Sequence, residues 1–176
     1  EKRKGQDLIL KAISNLPKDI KPKVHCHLIG RKNISPFFYL KTAWRAFWQK
    51  RIYLLGEQPN NRVLQYLSEA DLFIMASRDE ALPVVLIEAM ALGKAILTTN
   101  AGGTSEIIHT GENGLVVDIE DVAGLTKGII QLYRQPELRR EFGRRSKDRY
   151  QSDLTLASFG RQIETILTTV LNRTNP

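Results

Sequence analysis

With 176 residues, 42% of them hydrophobic, the chain suits a single domain with an ordinary core and requires no second one. One cysteine, Cys26, excludes an internal disulfide framework and fits a reducing cytosol, and no window approaches the length of a membrane-spanning helix. The formal charge of +7 favours an anionic partner, a condition that sugar nucleotides, anionic lipids and nucleic acid each satisfy.

The opening Glu1-Lys2-Arg3-Lys4 is charged but has no apolar core of signal-peptide type behind it. Apolar spacing predicts a first helix over 6–16, ended by Pro17, and Val24-His25-Cys26-His27-Leu28-Ile29 reads as a strand stopped by Gly30. An aromatic helix is expected over 36–49, then a strand at Arg51-Ile52-Tyr53-Leu54-Leu55 closed by Gly56 and Pro59, then a short helix over 61–69. A third strand over 71–76 leads to a helix of good formers over 84–92, with Pro83 at its first position and Gly93 as its stop. Ala95-Ile96-Leu97-Thr98-Thr99 and a short Leu115-Val116-Val117 are the fourth and fifth strands, and helices over 122–133, 136–150 and 155–172 finish the chain. Strands alternating with helices describe an α/β domain over 1–176 with a doubly wound parallel sheet. Such a sheet begins on a central strand ahead of the first helix, and no residues before that helix can form one. The first strand is therefore expected to be missing, leaving a slot of about 9–10 Å between the strands at 24–29 and 71–76, and the piece alone is expected to be poorly stable and inactive.

Chemistry concentrates in Ser77-Arg78-Asp79-Glu80-Ala81-Leu82-Pro83-Val84-Val85-Leu86-Ile87-Glu88-Ala89-Met90-Ala91-Leu92-Gly93. Glu80 falls on a strand-to-helix loop and Glu88 about one turn inside the following helix. At the carboxyl edge of a parallel sheet, loop and helix mouth face the crevice where open α/β sheets bind ligands. Free N–H groups around Leu82, Val84 and Val85 add affinity for an anion there.

This stretch resembles the signature of the large retaining glycosyltransferase family often called family 4, with its E-x7-E spacing and E-A-M-A-x-G run. Lys4-Gly5 opening a helix, Asn100-Ala101-Gly102-Gly103-Thr104-Ser105-Glu106 and Gly111-Glu112-Asn113-Gly114-Leu115-Val116 agree with it in order, so the resemblance covers nearly the whole chain. It implies the carboxyl-terminal, donor-binding half of a GT-B fold. The function implied is transfer of a hexose, with retention, from a UDP-, GDP- or ADP-linked sugar to an acceptor in cell-envelope or polysaccharide synthesis. By the same resemblance Glu88 holds the ribose hydroxyls, Glu80 meets the donor sugar, and Lys4 neutralises the leaving diphosphate, with Gly102 and Gly103 offering backbone amides. No metal or other cofactor is expected. The implied place is the cytoplasm, at the membrane face in the parent protein, and the implied partner is an amino-terminal acceptor domain. A glycine-arginine pair that family members carry a few residues before the lysine, at the end of the missing strand, is absent from this sequence, so part of the diphosphate clamp is expected to be missing from it.

Plainer alternatives accompany each assignment: an exposed helix glutamate at Glu88, a capping acid at Glu80, a frayed basic terminus at Lys4, and a capped turn at Gly102-Gly103. His25, Cys26 and His27 alternate faces along a strand, which speaks for structure rather than a metal site. His109 reads as a helix carboxyl-terminal cap. Phe37, Leu40, Trp44, Phe47 and Trp48 form either a membrane-surface face or the core face of a helix covering the sheet, and we favour the second. The basic cluster Arg139-Arg140-Glu141-Phe142-Gly143-Arg144-Arg145-Ser146-Lys147 carries acids at helical spacing, so it reads as a solvated face and not a nucleic-acid surface. Competing functions are a sugar-nucleotide epimerase or phosphorylase of the same plan and a non-catalytic nucleotide-binding module. A dinucleotide enzyme is disfavoured, since no Gly-x-Gly-x-x-Gly follows a strand.

Overall fold

Gly5 decides where the first helix begins. In the computed structural model, which describes residues 2–30 and 51–174 (side chains to 170), Lys2–Lys4 forms one 3-10 turn, Gly5 takes a left-handed φ of 62°, and α1 runs Gln6–Ser14. A Cβ at Gly5 would lie 1.6 Å from the Ala76 carbonyl oxygen, so only glycine lets this turn rest against the end of the third strand. Leu8, Ile9, Ala12 and Ile13 recur at helical spacing and bury the inner face of α1.

The strands are β1 (Cys26–Ile29), β2 (Ile52–Gly56), β3 (Leu72–Met75), β4 (Ala95–Thr99) and β5 (Leu115–Val117). Between and after them stand α2 (Asn60–Glu69), α3 (Val84–Ala91), α4 (Thr104–Ile107), α5 (Val122–Arg134), α6 (Pro136–Arg149) and α7 (Leu156–Thr174). The strand expected at 24–29 starts two residues late, because Pro22 sits in a 3-10 turn, Lys21–Lys23, that leaves Val24 as its exit. Pro83 is the N-cap of α3, with extended ψ of 119°, and not its first helical residue. A π turn, Tyr150–Leu154, joins α6 to α7 where the sequence reading has helix to residue 150 and a loop after it. The aromatic helix expected over 36–49, with Phe37, Trp44 and Trp48, lies outside the described residues.

All ladders are parallel. β1 pairs with β2, β3–β4–β5 form a second set, and among the described residues no ladder joins β1 to β3. The break falls between β1 and β3. At its carboxyl end lies the turn through Gly5, with Gln6 beside Gly30 after β1 and Gly5 against Ala76 after β3.

Alternation along β4 builds a core on both faces. Ala95 and Leu97 join α1, α5 and Phe142 of α6, while Ile96 joins Leu67 of α2 and Leu86, Ala89 and Met90 of α3. All five residues of β4 are buried, as a central parallel strand covered by helices on both faces requires. α3 is stopped by Gly93 at φ 65°, with Gly93 N–H donating to Met90 O (2.9 Å) and Lys94 N–H to Ala89 O (3.0 Å), which satisfies carbonyls the helix end would otherwise orphan.

Candidate functional site

Three loops leave the carboxyl ends of β3, β4 and β5 side by side. The loop after β3 opens with buried Ser77, whose carbonyl accepts from Thr99 Oγ1 of β4 at 2.6 Å, so the loop is tied to its neighbour strand as it starts. Ser77 Oγ in turn donates to Glu80 Oε1 at 2.9 Å. Lys4 Nζ reaches the same oxygen at 2.5 Å, with the Glu80 side chain 10% exposed and that of Lys4 39% exposed. An ammonium and a carboxylate that lie 76 positions apart in sequence therefore meet at the head of the break between the two strand sets.

Gly102 packs directly on this loop. At φ 56° its missing Cβ would stand 1.6 Å from the Glu80 carbonyl oxygen, and Gly103 N–H donates to Ala81 O at 3.0 Å. The Gly103 amide is thereby occupied, against the expectation that it stands free, whereas the Gly102 amide has no backbone acceptor among the described residues. The amides of Val84 and Val85, in the first turn of α3, likewise lack one, as the opening turn of a helix leaves them. Leu82 and Val84 hold their side chains open at this helix mouth, 47% and 68% exposed. Glu88, four residues into α3, is half-buried, and its carboxylate takes no bond from a described residue. Lys4, Glu80, Gly102 and Gly103 are thus brought together directly or through one loop, while Glu88 makes no hydrogen bond or ion pair with them.

Arg78 and Ser77 were not singled out in the sequence, although both lie inside the quoted segment. The Arg78 guanidinium grips Asp7 of α1 through both terminal nitrogens (2.8 and 2.9 Å) and also donates to Glu120, ahead of α5, and to the Lys2 carbonyl. Hydrogen bonding to Arg78 holds the carboxyls of Asp7 and Glu120 below their ordinary range and raises the pKa of Arg78. The usable signal was an arginine next to the motif with one acid in the first turn of α1 and another in the loop ahead of α5.

His25 and His27 share a face with Tyr53, and Cys26 packs on the opposite face beside the α1 core. Burial pushes the Cys26 thiol up to about 12 even though the residue as a whole keeps some exposure. Among the described residues no group of three His, Cys, Asp or Glu side chains is placed to hold a metal ion. His109 does not cap α4. Arg149 Nη2 meets the Glu106 carbonyl (2.8 Å), Asn113 Nδ2 meets that of Ile107 (2.9 Å), and His109 instead accepts from Arg149 Nη1 at 3.0 Å. In the basic cluster on α6, Arg144 and Arg145 pair with Glu141 and Arg140 with Glu137 inside the helix, while Arg139 reaches out to Asp71 ahead of β3 at 3.1 Å. No helix is long and apolar enough to cross a membrane among the described residues.

Comparison with known proteins places the fold and the family. The N-acetyl-alpha-D-glucosaminyl L-malate synthase of Bacillus anthracis is 33% identical over 123 residues, covering 70% of this chain and 32% of that protein. A lipopolysaccharide core biosynthesis glycosyltransferase, LpsE, of Rhizobium meliloti is 30% identical over 150 residues, covering 83% and 41%. The chain thus spans 32–41% of the length of these relatives. Among solved structures, Anabaena Alr3699/HepE in complex with UDP superposes with a TM-score of 0.81 at 21% identity, over 96% of this chain and 46% of that one. The C-terminal domain of LpcC, a glycosyl transferase group 1 family protein from Francisella tularensis, gives 0.79 at 23% identity, over 89% of this chain and 82% of that one. The fold is accordingly that of one Rossmann-like half of a GT-B glycosyltransferase. The model of the family described as glycosyl transferases group 1 matches residues 1–149, and the chain belongs to that family.

Proposed function

We propose that this chain is the donor-binding half of a retaining hexosyltransferase that takes a UDP-, GDP- or ADP-linked sugar and passes the sugar to an acceptor held by a second domain. The observation that carries the reading is the Lys4–Glu80 pair at the carboxyl ends of the strands, seated against Gly102 and beside the open first turn of α3. Departure of a nucleoside diphosphate builds negative charge on its bridging oxygen, and a compact ammonium with neighbouring amides is suited to meet it. Lys4 and the amides of Leu82, Val84, Val85 and Gly102 take that part, with Gly103 fixing the loop through Ala81. Charge compensation falls to these groups and not to a metal. Glu80, released from Lys4 when a diphosphate claims the ammonium, turns to the sugar hydroxyls. Glu88, whose carboxylate takes no bond from a described residue, accepts from the two ribose hydroxyls, which a carboxylate does with both oxygens. The UDP complex of the Anabaena neighbour, and the lipopolysaccharide role in the name of the Rhizobium relative, support a nucleotide sugar and an envelope polysaccharide. The protein works in the cytoplasm, at the membrane face where such acceptors are built.

The division of labour is open to measurement in the whole protein with UDP-, GDP- and ADP-glucose as donors. Ribose contacts bind ground and transition states alike, whereas sugar-directed contacts strengthen as charge develops at the anomeric carbon. Glu88→Ala is expected to weaken nucleotide binding by about 10–100-fold, the worth of one or two hydrogen bonds to a charged group, and Glu80→Ala to lower kcat. Equal losses of affinity with unchanged turnover in both variants would contradict these roles.

A further inference from the structure

We propose that Arg78 is the positioning residue of this site, clamping the turn that carries Lys4 onto the loop that carries Glu80; the inference rests on the roles given to those two groups above. Arg78 lies two residues before Glu80 and one after Ser77, which bonds Glu80 directly. From there it holds the Lys4 turn in two ways. Its backbone N–H donates to Arg3 O at 2.8 Å, and its Nη1 donates to the Lys2 carbonyl. No residue of the Lys2–Lys4 turn is buried, and these bonds, with the Lys4–Glu80 pair and the seat of Gly5 against Ala76, tie it to the strand ends.

The guanidinium itself is committed. Asp7 takes both terminal nitrogens, at 2.8 and 2.9 Å, and Glu120 takes Nε and, at 3.3 Å, Nη2. Two carboxylates facing one cation leave it a poor ligand for a diphosphate, and this distinguishes a clamp from a binding residue. Its cost is visible at Glu120, which is held at φ 68°, the one described residue other than glycine with a positive φ. A left-handed glutamate is strained and persists where its surroundings over-determine it. The clamp joins three segments, α1 through Asp7, the Glu80 loop, and the start of α5 through Glu120. A lysine could not replace it, having one point charge where the planar fork has five donors.

The test compares wild type, Arg78→Gln, Arg78→Lys, Lys4→Gln and the double variant Lys4→Gln/Arg78→Gln in the whole protein, with UDP-, GDP- and ADP-glucose as donors and folding checked by circular dichroism. Misplacing a reacting group by an ångström costs up to about 100-fold, so Arg78→Gln should lower kcat by about 10–100-fold and change donor affinity less. Arg78→Lys should fail to restore it. In the Lys4→Gln background the Arg78→Gln step should add less than about threefold, the non-additivity of residues acting through one group. A full additional loss there would overturn the clamp. If Lys4→Gln leaves turnover intact, or no donor is turned over, the function proposed for the site fails, and the clamp is then decided by the crystal structure of Arg78→Gln. Separation of Lys4 Nζ from Glu80 beyond about 4 Å, the limit of an ion pair, would sustain it, and retention of the contact would overturn it.

Discussion

Gly102→Ala should destabilise the domain by about 2–4 kcal/mol, against about 1–2 kcal/mol for Gly111→Ala, although both glycines have a positive φ, 56° and 84°. The difference comes from what each new methyl group would meet. At Gly111 nothing lies within 4 Å, so alanine costs only the strain of a left-handed backbone. At Gly102 the Cβ would stand 1.6 Å from the Glu80 oxygen and 2.7 Å from its carbonyl carbon, and a backbone carbonyl cannot swing aside as a side chain can. The two loops must part by more than about 1 Å to reach ordinary contact distance, and the Gly103 N–H bond to Ala81 O at 3.0 Å is lost, a further ~1 kcal/mol. For a protein of this size 1 kcal/mol moves the thermal midpoint by about 2–4 °C, so Gly102→Ala should melt about 2–8 °C below Gly111→Ala. Near-ultraviolet circular dichroism melts of the two variants, recorded side by side, measure this directly. Donor turnover should fall in Gly102→Ala and not in Gly111→Ala, since only the first displaces Glu80. Coincident midpoints would refute the argument that the close approach of two loops, and not backbone conformation, is what requires glycine at 102.

Asp7, held below its ordinary pKa of 3.8 by hydrogen bonding to Arg78, contributes stability that is present above that value and is lost as pH falls through the folded one. The gap in urea midpoint between wild type and Asp7→Asn should therefore be wide at pH 7 and narrow at about pH 3, and an equal gap at both would contradict the assignment. Burial pushes the Cys26 thiol up to about 12, so an aromatic disulfide reagent at pH 8 should label it slowly in the native protein and quickly in denaturant. Fast native labelling would show that strand β1 opens or that the thiol is not buried.

The strand runs were legible where composition changes sharply. Ala95–Thr99 sits between Gly93-Lys94 and Asn100, and both its bounds and those of Leu115–Val117 follow from the run of apolar and β-branched residues alone. Where the reading slipped, a competing local preference had won. Pro22 draws the chain into a 3-10 turn and delays β1, and Pro83 keeps extended backbone ahead of α3 instead of entering it. The role of His109 was misread for a different reason. A histidine after a short helix is a reasonable cap by local rules, but Arg149 arrives from the end of α6, 43 positions away from Glu106, and takes the carbonyl first.

The site shows the same division between what neighbours in sequence decide and what the topology decides. Parallel strands send every loop that follows them to one edge, so the meeting of residues 77–80 and 118–121 at that edge follows from the order of elements, and the seat of Gly5 against Ala76 brings residues 2–7 to it. Which charges pair there does not follow. Lys4 and Arg78 face three carboxylates, those of Asp7, Glu80 and Glu120, and the sequence permits several pairings. The geometry of the cations selects one. A planar guanidinium can engage two carboxylates at once, and Arg78 takes Asp7 and Glu120; a single ammonium suits one oxygen, and Lys4 is left with Glu80 Oε1. That segregation leaves Glu80 with one cation and one hydroxyl, Ser77, in place of a network. On the function proposed above, a diphosphate needs to displace only Lys4 to free the carboxylate for the sugar, and the Asp7–Arg78–Glu120 triad keeps the loop in place while it does so.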